Sequence, residues 1–196
     1  AGPRVLEHIV DTVLYFEGDS SRELRLLRGF KNRFGTTSEV GIFEMTKVGL
    51  VSAKDISKKF FTRGKAQAGS AITVLMEGSR PIVLEVQALV SESSYPTPKR
   101  SATGYELNRL TMLLALLERK LDLPFNQYDV YINIAGGIKI TETSADLAII
   151  AAIISSYRNR PISKDTIFIG EVSLIGDVRD IFNLDLRLKE AKAQQF

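Results

Sequence analysis

The chain has 196 residues, of which 44% are hydrophobic and 25% charged, a composition that excludes a disordered chain and leaves room for one good-sized core or two small ones. It has no cysteine and a single histidine, His8. These counts exclude a disulfide framework, a zinc finger and a cysteine nucleophile within these residues, and leave a Ser-His-Asp hydrolase only His8 as its base. A formal net charge of +3 and a pI near 9.1 are mildly basic, so where the cations stand matters more than their sum.

Pro3, at a favourable first helical position, opens one or two helical turns running to Val10. Val13 to Phe16 reads as a strand closed by the turn signal Glu17-Gly18-Asp19. A second strand is predicted over 23–30; its alternation breaks at Leu27, which predicts burial on both faces. A third is predicted over 40–45, with Gly35-Thr36-Thr37-Ser38 as the hairpin turn between them. Three strands and a short helix bury too little to stand alone, so this stretch reads as the tail of a larger sheet. Ser52 is placed to cap a short helix through Phe60, and the polar, turn-prone Arg63-Gly64-Lys65-Ala66-Gln67 marks a boundary.

Beyond it, 71–76 and 82–90 are β-rich runs around the turn signal Glu77-Gly78-Ser79-Arg80-Pro81, and 91–103 is a polar, proline-containing loop. Leu107, Leu110, Leu114, Leu117 and Leu121 recur at the helical spacing of three and four. A strand over 128–134 ends at Gly136-Gly137, and a helix over 144–157, apolar on nearly all sides, belongs in the middle of a core. A strand over 166–169, short β runs flanking Gly176 and a helix from Leu184 to the end complete a mixed α/β chain without internal repeats. The longest apolar run, 147–154, is far short of the ~20 residues of a membrane span, and the first residues lack a signal-peptide pattern. A soluble, cytoplasmic chain with no membrane partner is expected.

The sharpest local signal is Lys31-Asn32-Arg33-Phe34-Gly35. Cations two residues apart at a strand end share a face, and the turn that follows lets both project toward something anionic. The alternative is a pair of solvated strand-end charges. Together with Gly2-Pro3-Arg4-Val5-Leu6-Glu7-His8 and Val13-Leu14-Tyr15-Phe16-Glu17-Gly18, this block resembles the RadA (Sms) family of bacterial DNA-repair proteins. The resemblance continues through Met76-Glu77-Gly78, Gln87-Ala88-Leu89-Val90, Ala102-Thr103-Gly104, Ala135-Gly136-Gly137 and Gly170-Glu171-Val172, and so covers essentially the whole chain.

The resemblance implies an N-terminal zinc finger, a RecA-like ATPase core and a C-terminal domain similar to the proteolytic domain of Lon. Residues 1–52 would be the last strands of the ATPase core, 53–67 a linker with a short helix, and 68–196 a non-proteolytic Lon-like α+β domain. The sequence has no G-x-x-x-x-G-K-[ST] run. ATP, Mg²⁺ and zinc would therefore be held mostly outside it, and no metal by these residues. Arg4 would belong to the tail of a DNA-facing loop. Lys31 and Arg33 would reach in trans to the neighbouring subunit's ATP and neutralise charge on its γ-phosphoryl group, as an arginine finger does. The implied function is a DNA-dependent ATPase and branch-migration helicase of recombination, DNA repair and stress response. It would act on single- and double-stranded DNA as a homo-hexameric ring, with RecA as a partner.

Lon-type peptidases use a serine activated by a lysine of lowered pKa. By resemblance Ser144 falls on the serine's position, and Asp185, counted from Gly170-Glu171, on the lysine's. A carboxylate there is a poor base and repels a developing alkoxide. Lys189, one turn on, is expected to pair with Asp185, and Ser144 to cap the buried helix. A serine peptidase and an oligomerisation scaffold without its own ligand are the alternatives to the motor.

Finally, Arg80, Lys99, Arg100, Lys139 and Arg179 stand beside turn signals, and Arg109 lies in the first turns of the leucine-faced helix, off its apolar stripe. With no obvious acidic partners they are candidates for a groove that binds DNA phosphates without reading sequence, the resemblance assigning this domain to DNA binding and ring assembly. Taken one at a time, each is an ordinary loop charge.

Overall fold

The computed structural model describes residues 3–18, 24–53 and 56–196. Gly2 and Asp19, and Glu23 at the start of the expected second strand, lie outside them. The chain is mixed α/β, as expected, and divides into two units: 1–56 with 76–80, and 57–75 with 81–196.

In the first unit, helix α1 (Pro3–Ile9) precedes a four-stranded antiparallel sheet in the order β1 (Thr12–Glu17), β2 (Leu24–Asn32), β3 (Val40–Thr46), β4 (Gly49–Ser52). Opposite charges pin its parts. Arg28 on β2 bridges Glu17 (2.9 Å) and Glu77 (2.5 Å), and the Ser79 amide donates to the Ser38 carbonyl at 3.0 Å. Gly78 sits at φ +59°, where a Cβ would come within 2.5 Å of that carbonyl, so this close approach requires glycine.

β2 is longer than its hydrophobic run predicted and reaches Asn32. Its side chains are partly buried rather than covered on both faces, and Phe30 is exposed. Ser52 ends β4 instead of capping a helix; the helical turn that follows, Ile56–Lys59, is a short 3₁₀ segment.

The second unit is built on a sheet in the order β5 (Ser70–Glu77), β6 (Arg80–Glu92), β8 (Tyr128–Ile134), β7 (Arg100–Thr103). β6 pairs with β8 antiparallel and β7 with β8 parallel. β7 lies in the stretch read as loop: four residues of mixed polarity carry no period-2 signal, and β8 supplies the pairing that makes them a strand. The consecutive residues Ile82, Val83 and Leu84 are all buried, the mark of a strand covered on both faces.

Helices α2 (Leu107–Leu121) and α3 (Asp146–Arg158) supply the rest of the core. α2 buries Leu110, Leu113, Leu114, Leu116 and Leu117; α3 buries Ala148, Ile149, Ala152 and Ile153. The predicted strand over 166–169 is only an isolated parallel bridge, Ile72 to Ile167. A two-stranded ribbon, β9 (Glu171–Val172) with β10 (Val178–Arg179), leads to helix α4 (Leu184–Ala193). No helix among the described residues is long and apolar enough to cross a membrane.

Candidate functional site

The Lys31–Arg33 block is positioned by an irregularity. Val13 pairs with Lys31 but Leu14 pairs with Gly29, so Phe30 is the extra residue of a β-bulge, stacked on Tyr15 with ring centroids 4.7 Å apart. Lys31 then donates from Nζ to the Glu7 carbonyl at 3.0 Å, in the last turn of α1, where a cation is favoured by the helix dipole. Arg33 lies just past the strand. Its amide donates to the Asp11 carbonyl (3.0 Å), and Nη1 meets the Asp11 carboxylate at 3.1 Å.

Both cations thus reach the same segment, residues 7–11, from the end of β2. The Arg33–Asp11 pair is exposed, 69% and 55%, and such pairs contribute only about 0–1 kcal/mol, so the guanidinium is easily released to another anion. Asn32 closes the turn by donating to the Thr36 carbonyl at 3.1 Å. Arg4 is exposed on α1.

The peptidase-like position is a different arrangement from the one the sequence suggested. Ser144 is 2% exposed and lies in a 3₁₀ turn, Thr143–Ala145; it does not cap α3, whose N-cap is Ala145 without a side-chain bond. Asp185 is exposed at the start of α4 and makes no ion pair with Lys189. The side chain that faces Ser144 is Arg187, which is wholly buried.

Arg187 grips Glu142 through Nη1 (2.7 Å) and Nη2 (2.8 Å), donates from Nη1 to Ser144 Oγ (2.9 Å) and the Val74 carbonyl (2.8 Å), and from Nε to the Phe182 carbonyl (3.1 Å). Ser144 donates its own proton to Glu142 at 2.7 Å. A guanidinium stays charged at any working pH and cannot accept a proton, so it cannot serve as the serine's base. Arg187 was invisible to the counting argument, although its i,i+4 spacing to buried Ala191 places it on the buried face of α4.

The predicted phosphate contacts separate into two groups. Arg109 is committed internally: it binds both carboxylate oxygens of Asp146, which is fully buried, and donates to the Val172 carbonyl at 3.1 Å. Asp146 also accepts from Tyr105 (3.0 Å) and the Val172 amide (3.0 Å). Burial first, and then the Asp146 charge, push the Tyr105 phenol far up, while the Asp146 hydrogen bond holds Arg109 firmly protonated. Arg100 is a brace as well, donating to the Tyr128 carbonyl and to the Phe125 carbonyl at 2.7 Å; burial lowers its pKa.

The expectation that these two arginines lack partners therefore fails, because in each case the partner is distant in sequence. Among the described residues Arg80, Lys99 and Lys139 pair with no carboxylate, and Arg179 makes one exposed 3.3 Å contact with Asp177. Lys99 Nζ lies 4.8 Å from the Tyr95 ring centroid, while its amide donates to Asp129 at 2.6 Å and holds that carboxyl below its usual range. No group of three His, Cys, Asp or Glu side chains among the described residues could hold a metal.

No family model matches the chain. Among known proteins it is 72% identical over all 196 residues to the DNA repair protein RadA of Campylobacter jejuni, covering 44% of that protein. It is 60% identical over 196 residues to that of Helicobacter pylori, again covering 44%, and 49% identical over 192 residues (97% of the chain) to that of Bacillus subtilis, covering 42%. The chain thus spans less than half the length of the relatives it matches. Identity of this order along the whole chain, in bacteria so different, shows that the chain belongs to the RadA family.

Proposed function

We propose that the chain serves DNA repair as part of an ATP-driven motor that extends branches in recombination intermediates. Residues 1–52 would end a RecA-like ATPase core, 53–67 connect, and 68–196 form a Lon-like domain that binds DNA and supports ring assembly without proteolysis. The observation that carries this reading is the identity, over the whole chain, to proteins named DNA repair protein RadA.

The geometry supports the role given to Lys31 and Arg33. Two cations stand together at a strand end, one guanidinium is loosely held, and neutralising charge on a transferring phosphoryl group needs just such a mobile donor. ATP and Mg²⁺ would be cradled by other residues of the motor and zinc by a separate finger. Lys99, Lys139 and Arg179 suit phosphate contact in the second unit and Arg80 in the first; Arg100 and Arg109 are occupied in holding the fold.

The test uses the full-length protein. Subunits carrying Lys31→Ala, which alone lose roughly 10³–10⁵ in rate, mixed with subunits defective in the phosphate loop, regain ATP hydrolysis only in mixed rings. If both populations assemble and mixing restores nothing, the trans role is wrong.

A further inference from the structure

We propose that a cleft in the second unit, between the 62–67 segment and the 162–166 loop, binds one phosphate group. The cleft measures about 90 Å³. In this measure one water needs about 10–15 Å³, so the cleft has room for several waters or for a phosphate group.

Its lining residues include three cations, Arg63, Lys65 and Lys164, and the acidic Glu85, one of whose oxygens accepts from Gln87 at 3.0 Å. Asp165, next in sequence to Lys164, does not line the cleft. Among the described residues none of the three cations has a carboxylate partner, in contrast to Arg28, Arg109 and Arg187.

Arg63 is held in place by ring faces, its guanidinium carbon 4.6 Å from the Phe196 centroid and 5.8 Å from that of Phe61. Stacking of this kind fixes a guanidinium while leaving its in-plane N–H donors free for an oxyanion. Ser70, Ser163 and Thr166 also line the cleft, and among the described residues none of their hydroxyls hydrogen-bonds to another side chain or to the backbone. Uncommitted cations and hydroxyl-bearing residues around one cleft match the donor set of a phosphate.

The phosphate can be a backbone phosphodiester of nucleic acid or a free phosphate, and the nucleic-acid source rests on the function proposed above. The test follows backbone amide NMR signals of the 196-residue chain during titration with inorganic phosphate, beside a Lys65→Gln/Lys164→Gln variant. Both lysines are exposed, so the fold is retained, as the unperturbed spectrum elsewhere would verify. The expected result is saturable shifts confined to residues 63–67 and 163–166, with the dissociation constant raised at least tenfold in the variant. Absent shifts, or equal affinity in both proteins, overturn the proposal.

A second arm measures binding of a labelled single-stranded oligonucleotide against salt. A slope lower by about 0.7 in the variant assigns the site to one backbone phosphate. An unchanged slope, with phosphate affinity lost, assigns it to free phosphate. An oligonucleotide that does not bind at all counts against the DNA reading alone, because the phosphate titration stands by itself.

Discussion

Replacing Arg187 by Leu tests how the C-terminal helix is held. The guanidinium is wholly buried and donates five hydrogen bonds, to Glu142 twice, Ser144, Val74 and Phe182. At a net of about 0.5–1.5 kcal/mol per bond the loss is about 3–7 kcal/mol. Breaking a buried ion pair on one side costs about 3–5 kcal/mol, because the surviving carboxylate loses its counter-ion. The two estimates overlap near 4 kcal/mol. Helices α2, α3 and α4 all lie in the second unit, so the far-ultraviolet helical signal during urea unfolding reports on it. With a urea slope of about 2 kcal/mol per molar, the midpoint falls by about 2 M at unchanged slope. Glu142→Gln in the Arg187→Leu background recovers much of the loss, since it removes the charge that Arg187 offset. A single variant that loses less than about 1 kcal/mol, or a double variant no better than the single, would falsify the account of Arg187 as a buried clamp.

Thr73 is fully buried and its hydroxyl has no partner among the described residues, so Thr73→Val raises stability by about 1 kcal/mol in the same urea experiment. The Asp129 carboxyl is held below its ordinary pKa chiefly by the Lys99 amide, so its contribution is present above the unfolded carboxylate's pKa and lost as pH falls through the lower folded value; an Asp129→Asn variant is less stable at neutral pH, and the gap in Tm narrows as the solution is acidified. A serine-directed fluorophosphonate leaves Ser144 unlabelled, and Arg187→Lys does not confer peptidase activity, because the hydroxyl is buried and donates to Glu142; labelling that disappears in Ser144→Ala would show an accessible nucleophile.

What could be read from the sequence was whatever local pattern decides. Leucines at a helical spacing placed α2, and an all-round apolar run placed α3 in the core. The Lys31–Arg33 block was recognisable as a strand end, but the Phe30 bulge that aims it was not, since a bulge is a property of two strands rather than one. β7 and the fates of Arg100, Arg109 and Arg187 escaped for a related reason. A cation's partner is set by tertiary approach, and the separations to Tyr128, Asp146 and Glu142 are 28, 37 and 45 residues. Arg109 shows the limit most plainly: a position off the apolar stripe of α2 looks like surface until the buried first-turn carboxylate of α3 packs against it.

The reach of Arg187 also sets a timetable for biosynthesis. It joins the Val74 carbonyl across 113 residues and the Glu142 carboxylate across 45. Until translation delivers position 187, Glu142 and Ser144 lack the Arg187 guanidinium, and α4 has yet to join the core. At about 5–20 residues per second, the interval between emergence of Glu142 and of Arg187 is about 2–9 s. A ribosome pausing within 143–186 lengthens this interval, and Ala191, which completes the buried cluster with Phe61, Val74 and Val83, arrives later still.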